Sequence, residues 1–324
     1  MLRRTLMLSA AGTLAAPALL HAQAEWSPNR PVTFIVPLGP GSTADMLARA
    51  LAEVLRERLG QPVVVENRPA AGGIQATEQI KNAAPDGLTI GLASQGTLVF
   101  NAFLHRDLRY NPLTDFTHIA PFAVVTNALV VPPNSPFRTP ADIVAAARAN
   151  PGRVTYSSGG VGTSHHISMA LFAQKTGTQL EHVPYRTAPL GIQAVMTGEV
   201  QTGCYNIPTV LAQINAGTLR TVGVTSRGRS EFLPSVDSLH SQGITDYELT
   251  TWMGMVLPPG AAAPIAARYA AEVNRALALP EVWQRLVALG FERMERMDPP
   301  AFRAFIARDL ETWGPVIRQA APPA

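Results

Sequence analysis

Cysteine is almost absent: Cys204 is the one thiol in 324 residues. No internal disulfide can form, and no metal site that needs several thiolates can be built. Charge is sparse as well, at 15% of residues, with 26 Lys and Arg against 23 Asp and Glu. No basic run tracks a phosphate backbone, which excludes nucleic acid as a partner class. Phosphate-cradling motifs are missing: G-x-x-x-x-G-K-[ST] does not occur, and the first strand-to-helix turn lacks G-x-G-x-x-G. There is no G-x-S-x-G elbow, and no paired acidic motif or metal-ligand spacing stands in for it. Nucleotide binding, cofactor or metal dependence and hydrolytic catalysis are therefore disfavoured. Stability has to come from packed cores, which 47% hydrophobic residues can supply.

Long apolar runs are missing too. Leu6 to Leu20 is too short to span a bilayer, and no 18-residue apolar stretch follows it. Arg3 and Arg4 before this run, and Ala22-Gln23-Ala24 after it, have the form of a cleavable signal peptide over residues 1–24. Export to the periplasm is the expectation, by the general secretory route or, because Arg3-Arg4 leads into Thr5-Leu6-Met7, by the twin-arginine route. Without Arg3 and Arg4 the formal charge falls from +3 to +1, because 24 basic residues then face the same 23 acidic ones.

What remains is about 300 residues, which favours two lobes. Strand and helix alternate. Val32 to Val36 is a compact apolar run, Leu47, Leu51, Leu55 and Leu59 recur at helical spacing before Gly60, and Pro62 to Glu66 is the next strand. A helix over 73–84 ends at Pro85-Asp86-Gly87, before a third strand over 88–92. Continuous β-branched runs of this kind suit strands covered on both faces. The pattern restarts after about residue 125, with a capped helix start at Thr139-Pro140 and strands over 154–157, 180–184, 200–205 and 219–224. A last strand over 252–257 precedes a helical tail. The fold class expected is α/β with two lobes, residues 25–125 opening the first, 126–250 forming the second, and 251–324 returning to pack on the first. Crossings near 125 and 250 would form the hinge, with the site in the cleft beyond the strands' carboxyl ends.

Several strand-to-helix loops share one construction: Pro37 to Asp45, Asn67 to Gly73, and Ser157 to Ser164. Glycine lets a backbone approach a ligand, and free amides at a helix start attract an anion. Each loop also has a plainer explanation in ordinary turn and capping chemistry. Repetition in two lobes is what favours an anion clamp. His165 and His166 point about 100° apart on a helix and cannot chelate together. Asp45 suits a first helical turn. Arg186 could pair a carboxylate or lie solvated, and Trp252 and Trp313 fit packing. Ser164, His166 and Asp45 form only a nominal triad, since Ser164 and His166 lie two positions apart on one helix turn.

Beyond these loops, Pro37 to Asp45 with Ala48-Arg49, Val65 to Gly73, Ala84 to Thr89, Asp115 to Ala120, Ala149 to Gly152, Ser158 to His166, His182 to Arg186 and Ala216 to Arg220 resemble, in order, the Bug-type receptors of tripartite tricarboxylate transporters. The resemblance implies a two-lobed periplasmic-binding-protein fold whose hinged cleft closes on a small organic acid, held by backbone amides, hydroxyls and water. It places first-lobe contacts at Gly39, Gly41, Ser42, Thr43, Asp45, Ala71, Gly72, Ser94, Gln95 and Gly96. Second-lobe contacts would be Gly162, Thr163, Ser164, His166, Tyr185, Thr187, Tyr205 and Asn206. The chain departs from the family pattern at Ala70, Thr187 and Tyr205. An aspartate is common at the last position, where it would suit an ammonium, so Tyr205 as a cleft wall points away from amino acids. The implied partner of this monomer is a membrane permease; the alternative is a signalling protein that reads the closed receptor.

Overall fold

A computed structural model describes residues 26–321; the expected signal peptide lies outside the described residues. Strand β1 (Val32–Val36) pairs in parallel with β2 (Val63–Asn67) and β3 (Thr89–Ser94). Val32, Phe34, Ile35 and Val36 are all buried, as a strand covered on both faces requires. Helix α1 (Thr43–Leu59) starts at Ser42, whose hydroxyl accepts from the Asp45 amide, and stops at Gly60 in the left-handed conformation. Its leucine stripe is buried against the sheet. After β2 comes α2 (Ile74–Lys81) and, after β3, a wide helical turn over Gly96–Phe100 that runs into α3 (Asn101–Leu104). No sequence signal announced this last segment.

Strand β4 (Thr117–Val131) then joins the lobes. Its 15 residues span about 50 Å, enough to run through both sheets. The second lobe follows as α4 (Pro140–Ala149), β5 (Thr155–Ser158), α5 (Ser164–Thr176), β6 (Glu181–Pro184), α6 (Ala188–Thr197), β7 (Thr202–Asn206), α7 (Ile207–Asn215) and β8 (Arg220–Val224). Here β6-β5-β7 form a parallel run, while β7 and β8 pair antiparallel with the end of β4. The chain returns through 225–249 to β9 (Thr250–Leu257), antiparallel to both β3 and the first ten residues of β4. At the junction Thr225 exchanges backbone and side-chain bonds with Asn127, and the Leu249 amide donates to the Thr225 carbonyl.

The tail is not simply a helical cover for the first lobe. Helices α8 (Ala263–Ala276) and α9 (Pro280–Ala288) do pack on α1, but a short strand, β10 (Glu292–Arg293), then pairs with β4. Helix α10 (Pro299–Ala320) lies against α3 and against α5 of the second lobe, touching both. Amphipathic spacing shows that a helix has an apolar face but not which neighbour will cover it. On α10, Asp309 accepts from Trp252 Nε1 (2.7 Å) and Gln95 Nε2 (2.9 Å), and burial raises its carboxyl pKa against those two bonds. Asp309→Ala would leave two buried donors without an acceptor. Chemical denaturation should show a loss of about 3 kcal/mol; a loss below about 0.5 kcal/mol would mean the contact is incidental.

Candidate functional site

The carboxyl ends of β1, β3, β5 and β7 converge on one cleft, as open α/β sheets arrange their sites. From the first lobe the cleft receives the start of α1, and from the second the start of α5. Thr163 caps α5 by accepting from the His166 amide, as Ser42 caps α1. These caps and the turns before them leave the amides of Thr43 and Ala44, and of Ser164 and His165, uncommitted among the described residues. All four residues line a cavity of about 30 Å³ between the lobes, room for about two waters or one carboxylate group. Two helix N-termini are therefore aimed at the same small space.

The rest of the lining is polar but uncharged: Ser94, Thr97, Thr163, Asn206 and Thr251, with Leu38 and Met253 as the apolar part. His165 also lines it, and full burial lowers its pKa to about 4, so the imidazole is neutral. Asn206 is the hub. Its Oδ1 accepts from Thr43 Oγ1 across the cleft (3.1 Å) and lies 3.1 Å from His165 Nε2. Its Nδ2 donates to Asn127 Oδ1 and to Ser164 Oγ (3.2 Å).

The lobes touch through glycine. A Cβ on Gly72 (φ 61) would overlap the Val161 carbonyl, and one on Gly162 (φ 84) would overlap Asn101 Oδ1. Gly96 faces the Gly162 carbonyl, which a Cβ would meet at 2.9 Å. Gly39 lies under Thr187 and Gly41 under Pro189, both across the cleft.

Of the residues expected from sequence, Thr43, Gly72, Ser94, Gly96, Gly162, Thr163, Ser164 and Asn206 line the cavity together. Gly39, Gly41 and Thr187 meet at its rim, and Ala71 sits in the turn before α2. Ser42 is engaged in its cap. Five others do not line this inner cavity. Asp45 folds back onto the Gly41 amide (3.0 Å) and Arg49 (2.9 Å), bracing the loop. Gln95 reaches away to Asp309. Tyr185 donates its hydroxyl to Glu199 (2.7 Å). His166 stacks on His182 (4.4 Å), which stacks in turn on Tyr156 (4.7 Å).

Tyr205 is the fifth, and the expectation that it walls the cleft is not met. It is fully buried beneath Gly191, bonded to Ser157 Oγ (2.7 Å) and tilted against the back of His165 (4.7 Å). Side chains alternate along β7, and this position faces α6 rather than the ligand side. Of the histidine pair it is His165, not the expected His166, that lines this cavity, since neighbouring helical positions differ by a rotation that spacing alone does not fix. Thr97, Thr251 and Met253 carried no local signal.

A second chamber of about 210 Å³ opens at the mouth of the cleft. It shares Leu38 and Gly72 with the inner cavity and is lined further by Pro69, Ala70, His105, Val161, Tyr185 and Arg186.

Comparison with known proteins agrees with this fold. Residues 47–321 match the model of the tripartite tricarboxylate transporter family receptor, TctC. BugT of Bordetella pertussis is 30% identical over 318 residues, 97% of each chain. A protein encoded between tcbD and tcbE in Pseudomonas sp. strain P51 is 36% identical over 266 residues, 82% of this chain and 79% of that one. Among solved structures, R. palustris Rpa4515 with adipate superposes with a TM-score of 0.86 at 29% identity, covering 90% of this chain and 98% of that one. MatC from Rhodopseudomonas palustris with bound malate gives 0.86 at 26% identity, covering 90% and 99%.

The histidine column gives a pH test. Burial lowers His166 to about 3 and His182 to about 4, and the neighbouring His182 charge lowers His166 further. Their stabilising effect is complete above pH 6.5. It is lost as pH falls from 6.5 to about 4 for His182 and to about 3 for His166, where the unfolded chain takes up protons the fold refuses, at up to about 1.4 kcal/mol per pH unit for each. The buried carboxyls of Glu292 and Asp309, raised by burial, act in the opposite sense. The comparison is therefore with His166→Gln/His182→Gln, whose melting temperature should fall less between pH 7 and 5 than that of the unaltered chain. Parallel pH profiles would contradict the assignment.

Proposed function

The chain belongs to the tripartite tricarboxylate transporter receptor family, a family of solute receptors and not of enzymes, and from that membership we propose that it binds a small organic carboxylate between its lobes. The observation that carries this reading is the pair of opposed helix starts, α1 and α5, whose four uncommitted amides face one cavity the size of a carboxylate. Helix N-termini attract anions through both their free N–H groups and their aligned dipoles. With no charged side chain in the inner lining, the carboxylate is held by amides, hydroxyls and the neutral His165 and Asn206. Adipate and malate, each found with a structural relative, belong to the chemical class this arrangement suits.

The receptor works in the periplasm, exported by its N-terminal signal, and delivers the acid to the permease of a tripartite transporter. A ligand bridging both lobes binds the closed form better than the open one and shifts the balance between them.

Two measurements test the reading. A thermal-shift screen of mono-, di-, tricarboxylic and aromatic acids should find at least one that stabilises the protein, by about 2.7 kcal/mol at 100 times its Kd. No shift with any of them would remove the carboxylate assignment. Gly72→Ala and Gly162→Ala should each weaken binding about tenfold or more by holding the loops apart, a cost of about 1.4 kcal/mol, while circular dichroism shows the fold retained. Unaltered affinity in both variants would mean that these glycines serve only their turns.

A further inference from the structure

Helices α5 and α10 touch across the lobes without closing on each other, and a groove of about 300 Å³ is left between them. An apolar cavity of about 150 Å³ already takes a benzene ring, so this groove has room for a ring with a short arm. Leu171 of α5 and Trp313, Pro315 and Val316 of α10 supply its apolar wall. The polar groups around it are mostly acceptors. Gln174 Oε1 is buried with no partner. Pro315 has no N–H, so the Glu311 carbonyl one turn earlier lacks its helical donor. Asp246 and Glu248 add two carboxylates from the segment before β9. Asp246 has only the exposed Arg227, at 3.6 Å, as a counter-charge, and Glu248 has none among the described residues. Lys175 is the single cation in the lining, and it forms no ion pair with either carboxylate. The groove therefore asks for an apolar body that carries a positively charged donor.

We propose that the groove between α5 and α10 is a second binding site, separate from the cleft, and that it takes an organic ammonium carried on an apolar ring and favours closure of the lobes. The ring packs on Trp313, Pro315 and Val316. The ammonium donates to Gln174 Oε1 and is neutralised by Glu248 and Asp246. Both walls of the groove lead back to the cleft. Helix α5 brings Ser164 and His165 to the inner cavity at its start, and Leu171 and Gln174 to the groove about two turns later. On the other wall the Trp313 indole hydrogen-bonds Asp309, which holds Gln95 beside Ser94 and Gly96. The groove has this shape with the lobes in contact. An occupant that binds this arrangement better than an open one shifts the balance toward it, and a ligand in the cleft and one in the groove then strengthen each other's binding.

Calorimetric titration of the full chain tests the site with 2-phenylethylamine and 2-phenylethanol, which share ring and arm but not charge. The amine should bind about tenfold tighter than the alcohol. Asp246→Asn/Glu248→Gln should abolish that preference and leave the alcohol's affinity unaltered. Asparagine tolerates the left-handed backbone at position 246 (φ 54), and an unaltered melting temperature checks the fold. Undetectable binding of the amine, equal affinity for the two probes, or a preference that survives the double variant overturns the proposal; the last result would place the amine elsewhere, the cleft included. Closure is read separately. Cys204 is buried, and burial pushes its thiol up to about 12, so thiols introduced by Pro40→Cys and Leu190→Cys, exposed on opposite sides of the cleft, take spin labels selectively. The amine alone should raise the population at short label separation, and an unaltered distance distribution would remove the link between groove and cleft. Neither measurement needs an acid, so this proposal can fail with the carboxylate reading intact, and an empty thermal-shift screen leaves this one standing.

Discussion

Gly72 and Gly162 stand where the loops of the two lobes meet, and at each a side chain would overlap what faces it. Both are in the left-handed region, which costs other residues roughly 1–2 kcal/mol, so the turn and the close approach make the same demand. From that contact follows the size of the inner cavity, because the loops come together until little more than a carboxylate fits between them. It also brings the starts of α1 and α5 face to face. Two partial positive charges held this close oppose one another unless an anion lies between them, and an anion there satisfies both lobes at once. On the proposed function, closure and ligand capture would be two aspects of this one contact.

A clamp made of amides and hydroxyls works only if its donors are held still, and three packed groups behind the cleft do this. Tyr205, bonded to Ser157, backs His165. The column Tyr156–His182–His166 supports the loop before α5, with His182 also 2.7 Å from Ser158 Oγ. Asp309 anchors Gln95, next to Ser94 and Gly96 in the cavity wall. Each group is neutral or has its charge opposed by burial, so none competes electrostatically with a bound anion. The histidines stay uncharged for the same reason that they stack: water is kept from them.

What the sequence showed best was what local chemistry decides. Strand β1 lies at its expected bounds, α1 ends at Gly60, and α4 begins with Thr139 in a reciprocal cap with Asp142. The glycine loops were visible one by one, but their pairing was not, since Gly72 meets Val161 and Gly96 meets Gly162 only through tertiary closure. The helical segment Gly96–Leu104 begins without a side-chain cap and was missed. Strand β10 has two residues, too few for any period to register. Histidine and tyrosine misplacements share one cause. Residue type tells what a side chain can do, but the rotation of α5 and the pleat of β7 decide whether it faces the ligand or the core.

The cavity wall and the junction between lobes are also physically one unit. Asn127 is the residue at which β4 leaves its pairing with β9 and begins pairing with β7 and β8. Its backbone amide donates to Thr225 Oγ1 (2.9 Å), where the chain starts back toward the first lobe. Its side chain accepts from Asn206, the hub of the cavity, and donates to Ser168 Oγ (2.9 Å) inside α5. A change in the angle between the lobes therefore cannot leave Asn206 undisturbed, and a shift of Asn206 acts on the point about which the lobes would turn. Thr43 closes the loop from the other side by donating to the same Asn206 oxygen. Buried hydrogen-bonded groups move together or leave partners unsatisfied at about 1–3 kcal/mol each, which favours two discrete arrangements of this cleft over a continuum between them.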